Sequence, residues 1–436
     1  MLDKEMNYIL EQYQQKSLFS SFLPGISGEL GIPLWCYYVN RGQAISCFGV
    51  QDKNHGIMEF YPAHQAYERT SLMGFRTFLK INGSCTEAFA DPAQKQVMRV
   101  GMNSLTIEEE TPDYKITVEY ETLPGEPLAA LMRSVKVTNL SGKDMALEVI
   151  DGMAEVLPYG VSGGAMKEMG QTTKAWMQVL DTELCQPKFK VRASMEDSAE
   201  VSQIEGFNYA LAKDCQDGSK LLPVIVDREV LFEYDSTLMR AYGFMSHSVD
   251  ELMAKEQVTC NDVPTSFFGT KKELKAGESI NIKELYGMSE NRKAYDTMVG
   301  KFLTDGWFEE KQAQAKALTT QITERIATKT ADPVFDAYCR QNYLDNLLRG
   351  GYPVKLGKNQ IFYLYSRKHG DMERDYNFFS MLPEYYSQGN GNFRDVNQNR
   401  RSDMLYSPFV GDSAIKTFYN ALQINGYNPL SIDIMA

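Results

Sequence analysis

Apolar and polar residues alternate along much of the first two thirds of the chain. Asp113-Tyr-Lys-Ile-Thr-Val-Glu-Tyr-Glu121 places tyrosines and β-branched residues on one side and charged or hydroxyl residues on the other. A two-residue period of this kind predicts half-buried strands. Leu131–Thr138 and Met145–Ile150 follow, with Asn139-Leu-Ser-Gly142 as the turn between them. Leu222–Val226, Leu231–Tyr234 and Ser279–Tyr286 are further predicted strands, the last entered through the turn Lys275-Ala-Gly-Glu278. After about residue 290 the strand period disappears. Asn291–Leu303 and Phe308–Ala327 are rich in good helix formers and contain no proline, which predicts two helices. Asp332-Pro333 opens a third, with Asp as N-cap and Pro at the first helical position, and Gly350-Gly351 ends it.

The expected fold class is therefore an α+β multidomain chain. A large antiparallel β-sandwich spans residues 1–289, a helical linker 290–330, and the start of an α-helical domain 331–436. The last region ends at Leu430–Ala436, just after Asn425-Gly-Tyr-Asn-Pro429 turns the backbone, so the helical domain is expected to be truncated.

Composition narrows the function classes. With 43% hydrophobic, 23% charged and 11% aromatic residues, the chain is neither disordered nor collagen-like nor a small disulfide scaffold. Lys and Arg number 45 against 57 Asp and Glu, a net charge of −12 that disfavours nucleic acid and a polybasic membrane face. The apolar runs fall short of the ~20 residues a membrane-spanning helix needs, and the first residues lack a basic segment followed by an apolar one. The seven cysteines include no C-x-x-C pair, and the four histidines have no zinc-ligand spacing. These features predict reduced, mostly buried thiols in a cytoplasmic protein with no metal or organic cofactor; His55, His64 and His247 read as structural.

The densest chemical signal lies between His369 and Asp403. From Gln388 to Asp403 there are three arginines, two aspartates, four asparagines, two glutamines and two glycines, with Phe393 and Val396 the only apolar residues. Guanidinium forks, carboxylates and planar amides exchange hydrogen bonds with vicinal hydroxyls, and rings such as Tyr385, Tyr386 and Phe393 stack on sugar faces. The alternative is a solvated loop between two helices; the surrounding aromatic residues favour a pocket. Asp371, Glu373 and Asp375, in a charged run with Arg367, His369 and Arg374, read as a solvated face. Gly160-Val-Ser-Gly-Gly164 reads as a sandwich loop. Gly389-Asn-Gly391 lacks the third glycine of a dinucleotide fingerprint, and no G-x-x-x-x-G-K-[ST] is present.

The segment Ser387-Gln-Gly-Asn-Gly-Asn-Phe-Arg-Asp-Val-Asn-Gln-Asn399 resembles the G-x-F-R-D-Q-L-Q-D motif of the cellobiose phosphorylase group, glycoside hydrolase family 94. It is closer still to the β-1,3-glucan phosphorylases of families 149 and 161. Three other segments are similar to that group in the same order. They are Pro33-Leu-Trp-Cys-Tyr-Tyr-Val-Asn-Arg-Gly42, Arg133-Ser-Val-Lys-Val-Thr-Asn139 and Thr330-Ala-Asp-Pro-Val-Phe-Asp336. The resemblance implies that residues 331–436 begin an (α/α)6 barrel. It also implies that the F-R-D loop serves the subsite of the transferred glucosyl unit, with Arg394 and Asp395 hydrogen-bonding its hydroxyls; Asn397, Gln398, Arg400, Arg401 and Asp403 are the further candidate substrate-binding residues, with Arg400-Arg401 reading equally as a surface pair flanking a helix. The last Asp of the family motif has no counterpart in line here, unless Asp403 serves in a shifted register.

The reaction implied is inverting phosphorolysis of a β-glucoside or β-glucan to α-glucose 1-phosphate, with inorganic phosphate as co-substrate. An inverting hydrolase needs an acid and a base. Phosphate is already an anionic nucleophile, so one general acid suffices while cations and hydroxyls position it. The family's general acid and phosphate-binding residues are expected beyond Ala436, so no catalytic residue is assigned and the chain alone is expected to be inactive. The resemblance also implies a β-glucan or gluco-oligosaccharide partner and a homodimer formed through the sandwich. An inverting glycoside hydrolase on the same scaffold and a non-catalytic carbohydrate-binding protein are the alternatives.

Overall fold

The alternation at residues 113–121 becomes the strand Tyr114–Thr122, whose tyrosine, isoleucine and valine side chains are buried and whose Lys115, Thr117, Glu119 and Glu121 are partly exposed. The computed structural model describes residues 2–193, 204–215, 220–358, 360–365, 381 and 391–432. Tyr114–Thr122 lies between Ser104–Glu110 and Ala129–Asn139, with Val118 opposite both Ile107 and Val135. These belong to a nine-stranded sheet in which Ala129–Asn139 also pairs with Ser279–Ser289, and that strand in turn with Phe207–Asp214. A five-stranded sheet around Met145–Met153 and a four-stranded sheet around Leu34–Val39 complete the β-structure before residue 290. The strand pairings among the described residues are antiparallel, and side chains of all three sheets, among them Trp35, Phe48, Phe75, Ile116 and Val149, share one core.

Both ends of the Arg133–Asn139 segment carry fully buried polar residues with defined partners. Asn139 donates its amide to the carbonyls of Lys143 (2.6 Å) and Leu274 (3.1 Å) and accepts from the Ser141 amide (3.0 Å), closing the turn in which Gly142 adopts φ +72°. Arg133 sits inside the sandwich with no exposure. Its Nη2 donates to Gln43 Oε1 (2.7 Å) and Asp151 Oδ1 (3.0 Å), and its Nη1 is shared by Asp151 and Glu284. Phe75 lies 4.7 Å from its guanidinium. Burial and the neighbouring Asp151 charge hold the Glu284 carboxyl well above the usual carboxylate range, although Arg133 pulls the other way.

Among the described residues, five α-helices decorate the β-region: α1 (Ala63–Met73), α2 (Gly163–Lys174), α3 (Arg228–Phe232), α4 (Tyr242–Ser246) and α5 (Val249–Met253). Two of them correct the sequence reading. Leu231–Tyr234 is no strand: Asp227 caps α3 by accepting from the Glu229 amide, and Val230, Leu231 and Phe232 are all buried, a short apolar run that fits either element. Gly163 and Gly164 open α2 behind the Ser162 cap instead of extending a loop. The thiols also differ from expectation. All seven are free, but only Cys36 and Cys47 are buried, while Cys85 and Cys215 are exposed. His55 and His64 are exposed, His55 pairing with Asp52 at 2.8 Å.

The predicted linker helices form as α6 (Arg292–Phe302) and α7 (Trp307–Thr323). Asn291 caps α6 by accepting from Ala294 N at 3.0 Å. Its buried residues Tyr295, Met298, Val299 and Phe302, spaced i, i+3, i+4, i+7, pack on Leu123, Met132, Tyr209 and Leu285. At ~1.5–3 kcal/mol per buried side chain this stripe contributes on the order of 6–12 kcal/mol before entropy. Glu126, buried, takes Lys301 of α6 and Lys311 of α7 at 2.8 Å each, and Lys311 also donates to the Pro124 carbonyl at 3.0 Å. The third helix, α8 (Pro333–Gly350), begins as predicted: Asp332 accepts from Val334 N (2.9 Å) and Phe335 N (3.4 Å). Its Tyr343 and Leu344 pack with Ile322, Leu318 and Ile26.

Beyond α8 the expected loss of strand structure is overturned by a hairpin of Tyr352–Leu356 and Gln360–Leu364. Short strands Gly391–Asn392 and Ser431–Ile432 also pair. The expected polar loop is largely helical from Phe393 on: α9 (Phe393–Arg400) and α10 (Asp403–Tyr406) precede α11 (Ser413–Asn420). Arg367, His369, Asp371, Glu373, Arg374, Asp375, Tyr385 and Tyr386 lie outside the described residues. No helix among the described residues is long and apolar enough to cross a membrane.

Candidate functional site

Helix α9 sorts the sequence-predicted site residues by its period. Phe393 and, seven positions on, Arg400 are buried; Phe393 meets Phe418 of α11 edge to face at 5.6 Å. Arg394, Asn397 and Gln398, with Arg401 just past the helix, stand at i, i+3, i+4 and i+7 and are all exposed. They form a stripe of two amides bracketed by two guanidinium groups, and no charge on it is buried. The side chain of Asp395 lies outside the described set.

Arg400 and Asp403 come together instead in the interior. Arg400 Nη1 is 3.1 Å from Asp403 Oδ2, and its guanidinium stacks over the Tyr363 ring at 4.2 Å. Tyr363 Oη donates to the same carboxylate oxygen at 3.0 Å. Burial raises the Asp403 carboxyl above its ordinary value against the pull of Arg400 and Tyr363. The arrangement joins the hairpin strand Gln360–Leu364 to α9 and α10. Six of the seven predicted residues therefore have described side chains, four of them exposed and two, Arg400 and Asp403, joined in a buried pair.

A cleft of about 850 Å³ lies elsewhere, between the first strands of the chain and α8. Aromatic rings Tyr8, Phe22, Tyr38 and Tyr338 line it. Val334, Tyr338, Gln341 and Asp345, at i, i+4, i+7 and i+11, give α8 one stripe facing the cleft. Asp336 and Arg340 also reach it, but both are engaged: Asp336 accepts from Thr328 Oγ1 (2.6 Å), and Arg340 pairs with Glu324 (2.9 Å). Rings combined with a few convergent polar groups are the usual make-up of a small-molecule site. Sequence reasoning missed this cleft because its walls come from positions some 300 residues apart; the exposed ring at Tyr338 within a helical stretch was the available signal. A second chamber of about 370 Å³ shares Glu5, Met6, Met102 and Thr320 with it and runs under α7, where Glu119 and Glu121 line its floor.

No protein-family model matches the chain, and no curated protein matches it. Among solved structures it is similar to a bacterial glucoamylase complexed with acarbose, with TM-score 0.36 and 11% identity over 98% of this chain and 55% of that one. It is also similar to a polysaccharide lyase (TM-score 0.34, 10% identity, 62% of this chain and 34% of that one). A putative kojibiose phosphorylase from human microbiome overlaps at TM-score 0.23 and 7% identity, over 77% of this chain and 32% of that one. The chain thus spans between about a third and just over half of the length of these proteins.

Proposed function

We propose that this chain takes part in inverting phosphorolysis of β-glucosides, binding a β-glucan or gluco-oligosaccharide with inorganic phosphate as co-substrate. Residues 1–289 form its sandwich, 290–330 its helical linker and 331–436 the opening of an (α/α)6 barrel. The observation that carries this reading is the stripe Arg394, Asn397, Gln398, Arg401 directly after Phe393. Four planar hydrogen-bonding groups spaced over one to two helical turns, ~5.4 Å per turn, match the spread of hydroxyls around a pyranose ring. The order of parts supports it too: antiparallel sheets, two linker helices, the Asp332-capped helix, then the F-R-D segment. Arg400 serves indirectly, holding α9 against Tyr363 and Asp403. The cleft beside α8, with its tyrosines, accommodates further sugar units.

The test is formation of glucose 1-phosphate from β-1,3- and β-1,4-gluco-oligosaccharides by the protein, beside calorimetric binding of the same sugars to it. Glucose 1-phosphate made only with phosphate present supports the proposal. Glucose released without phosphate makes the protein a hydrolase, binding without product makes it a carbohydrate-binding protein, and neither binding nor product removes the sugar reading altogether.

A further inference from the structure

The chamber under α7 holds a carboxyl that the sugar reading does not use. Glu119 and Glu121 sit two residues apart on Tyr114–Thr122, so both project from the outward face of the nine-stranded sheet. Helix α7 covers that face with Gln312, Ala315, Lys316 and Thr319. Glu121 Oε2 is buried and accepts no hydrogen bond, although Gln312 of α7 reaches the same side chain. Glu119 is better served, by Ser134 Oγ at 3.2 Å and Gln312 Nε2 at 3.5 Å.

The cations in reach are already committed. Lys316 of α7 pairs with Glu5 at 2.8 Å, and Lys283, from the strand Ser279–Ser289, pairs with Glu309 at 3.5 Å. On the neighbouring strand Glu108 is neutralised by Arg99 (2.7 Å) and Lys115 (3.0 Å). The other groups facing the chamber from that side, Asn103, Ser104 and Thr106, are uncharged. An ionised Glu121 would therefore keep one carboxylate oxygen buried and unpaired beside a second carboxylate, while Lys316 and Lys283 hold other partners.

We propose that the seam between the nine-stranded sheet and α7 is proton-gated: α7 is clamped while Glu121 is protonated and loosens when Glu121 ionises beside Glu119. Water then enters the chamber to solvate the two carboxylates, and it does so next to the large cleft with which the chamber shares its wall. Burial, followed by the Glu119 charge, pushes the Glu121 carboxyl up to about 7, so the change falls within the physiological range. The sign follows from linkage. A carboxyl raised in the closed state binds a proton there that the open state, near the ordinary 4.5, has already lost, so opening is favoured as pH rises from 4.5 through 7. With these two values the opening constant grows about tenfold between pH 6 and pH 8.

Hydrogen exchange of the α7 peptides, normalised for intrinsic exchange and referenced to α6, tests this directly. The expected result is an increase of about tenfold in opening of residues 312–323 from pH 6 to pH 8, abolished in Glu121→Gln. Glu119→Gln provides a second handle, since removing the neighbouring charge moves the transition to lower pH. A wild-type profile flat over that range, or an equal rise in Glu121→Gln, overturns the proposal. The sugar assays do not bear on this result, and the seam stands or falls independently of them.

Discussion

Replacing Arg133 by Met isolates the strongest electrostatic commitment in the sandwich. Two carboxyl groups, Asp151 and Glu284, face one guanidinium, and all three side chains have zero exposure. The charges balance only if one carboxyl keeps its proton, and the upward displacement of Glu284 identifies which. Methionine fills much of the arginine's volume, so little cavity is created. What is lost is the counter-charge of Asp151, and breaking a buried pair from one side costs about 3–5 kcal/mol. Glu284→Gln, in contrast, keeps size, neutrality and a donor, and should change stability by less than about 1 kcal/mol. Urea denaturation at pH 7, followed by the fluorescence of Trp35 in the same core, distinguishes the two. With m of about 3 kcal/mol/M, Arg133→Met lowers the midpoint by roughly 1–2 M while Glu284→Gln leaves it nearly in place. Equal losses in the two variants would show that Glu284 is ionised and that the charge assignment is wrong.

Three further outcomes are expected. Asp332→Ala removes the acceptor of the first α8 amides and should destabilise that helix by about 1 kcal/mol, seen as faster amide exchange confined to its first turns. Asp403→Ala leaves Arg400 and the Tyr363 hydroxyl buried without their shared acceptor; a loss of about 3 kcal/mol is expected, read as increased proteolytic cleavage between residues 391 and 420, and unchanged cleavage would mean that the pair does not hold α9 in place. Tyr338→Ala takes one ring from the cleft and should weaken gluco-oligosaccharide binding by about fivefold, or ~1 kcal/mol, in calorimetry, with the melting temperature unaltered.

How far the sequence foretold the structure depended on what each pattern had to encode. The strand at Tyr114 was legible because one face packs into the core and the other does not, so burial and alternation coincide. The capped start of α8 was legible because Asp-Pro chemistry is local. The segment at Leu231 was not, since a run of buried residues carries no period. Helix α9 was hidden for a different reason: its inward positions include Arg400, so the apolar stripe that normally announces a helix is interrupted by a charge whose partners, Tyr363 and Asp403, only the fold supplies. The hairpin after α8 carries Pro353 in its first strand, a residue that cannot donate to a ladder; the pairing is two-stranded and tolerates it at an edge. The cleft and the chamber were beyond reach of any local pattern, because their walls meet only after the first strands, the sheet and two helices have assembled.

The grip of Glu126 on Lys301 and Lys311 gives α7 a fulcrum. A helix of 17 residues is ~25 Å long, and this one is fastened near its first turn, ahead of the carboxylates under its middle. Small rotations about that point grow with distance along the rod. Any such rotation would be largest at Ile322, where the helix packs on Tyr343 and Leu344, so it would be felt at α8 and at the wall of the cleft.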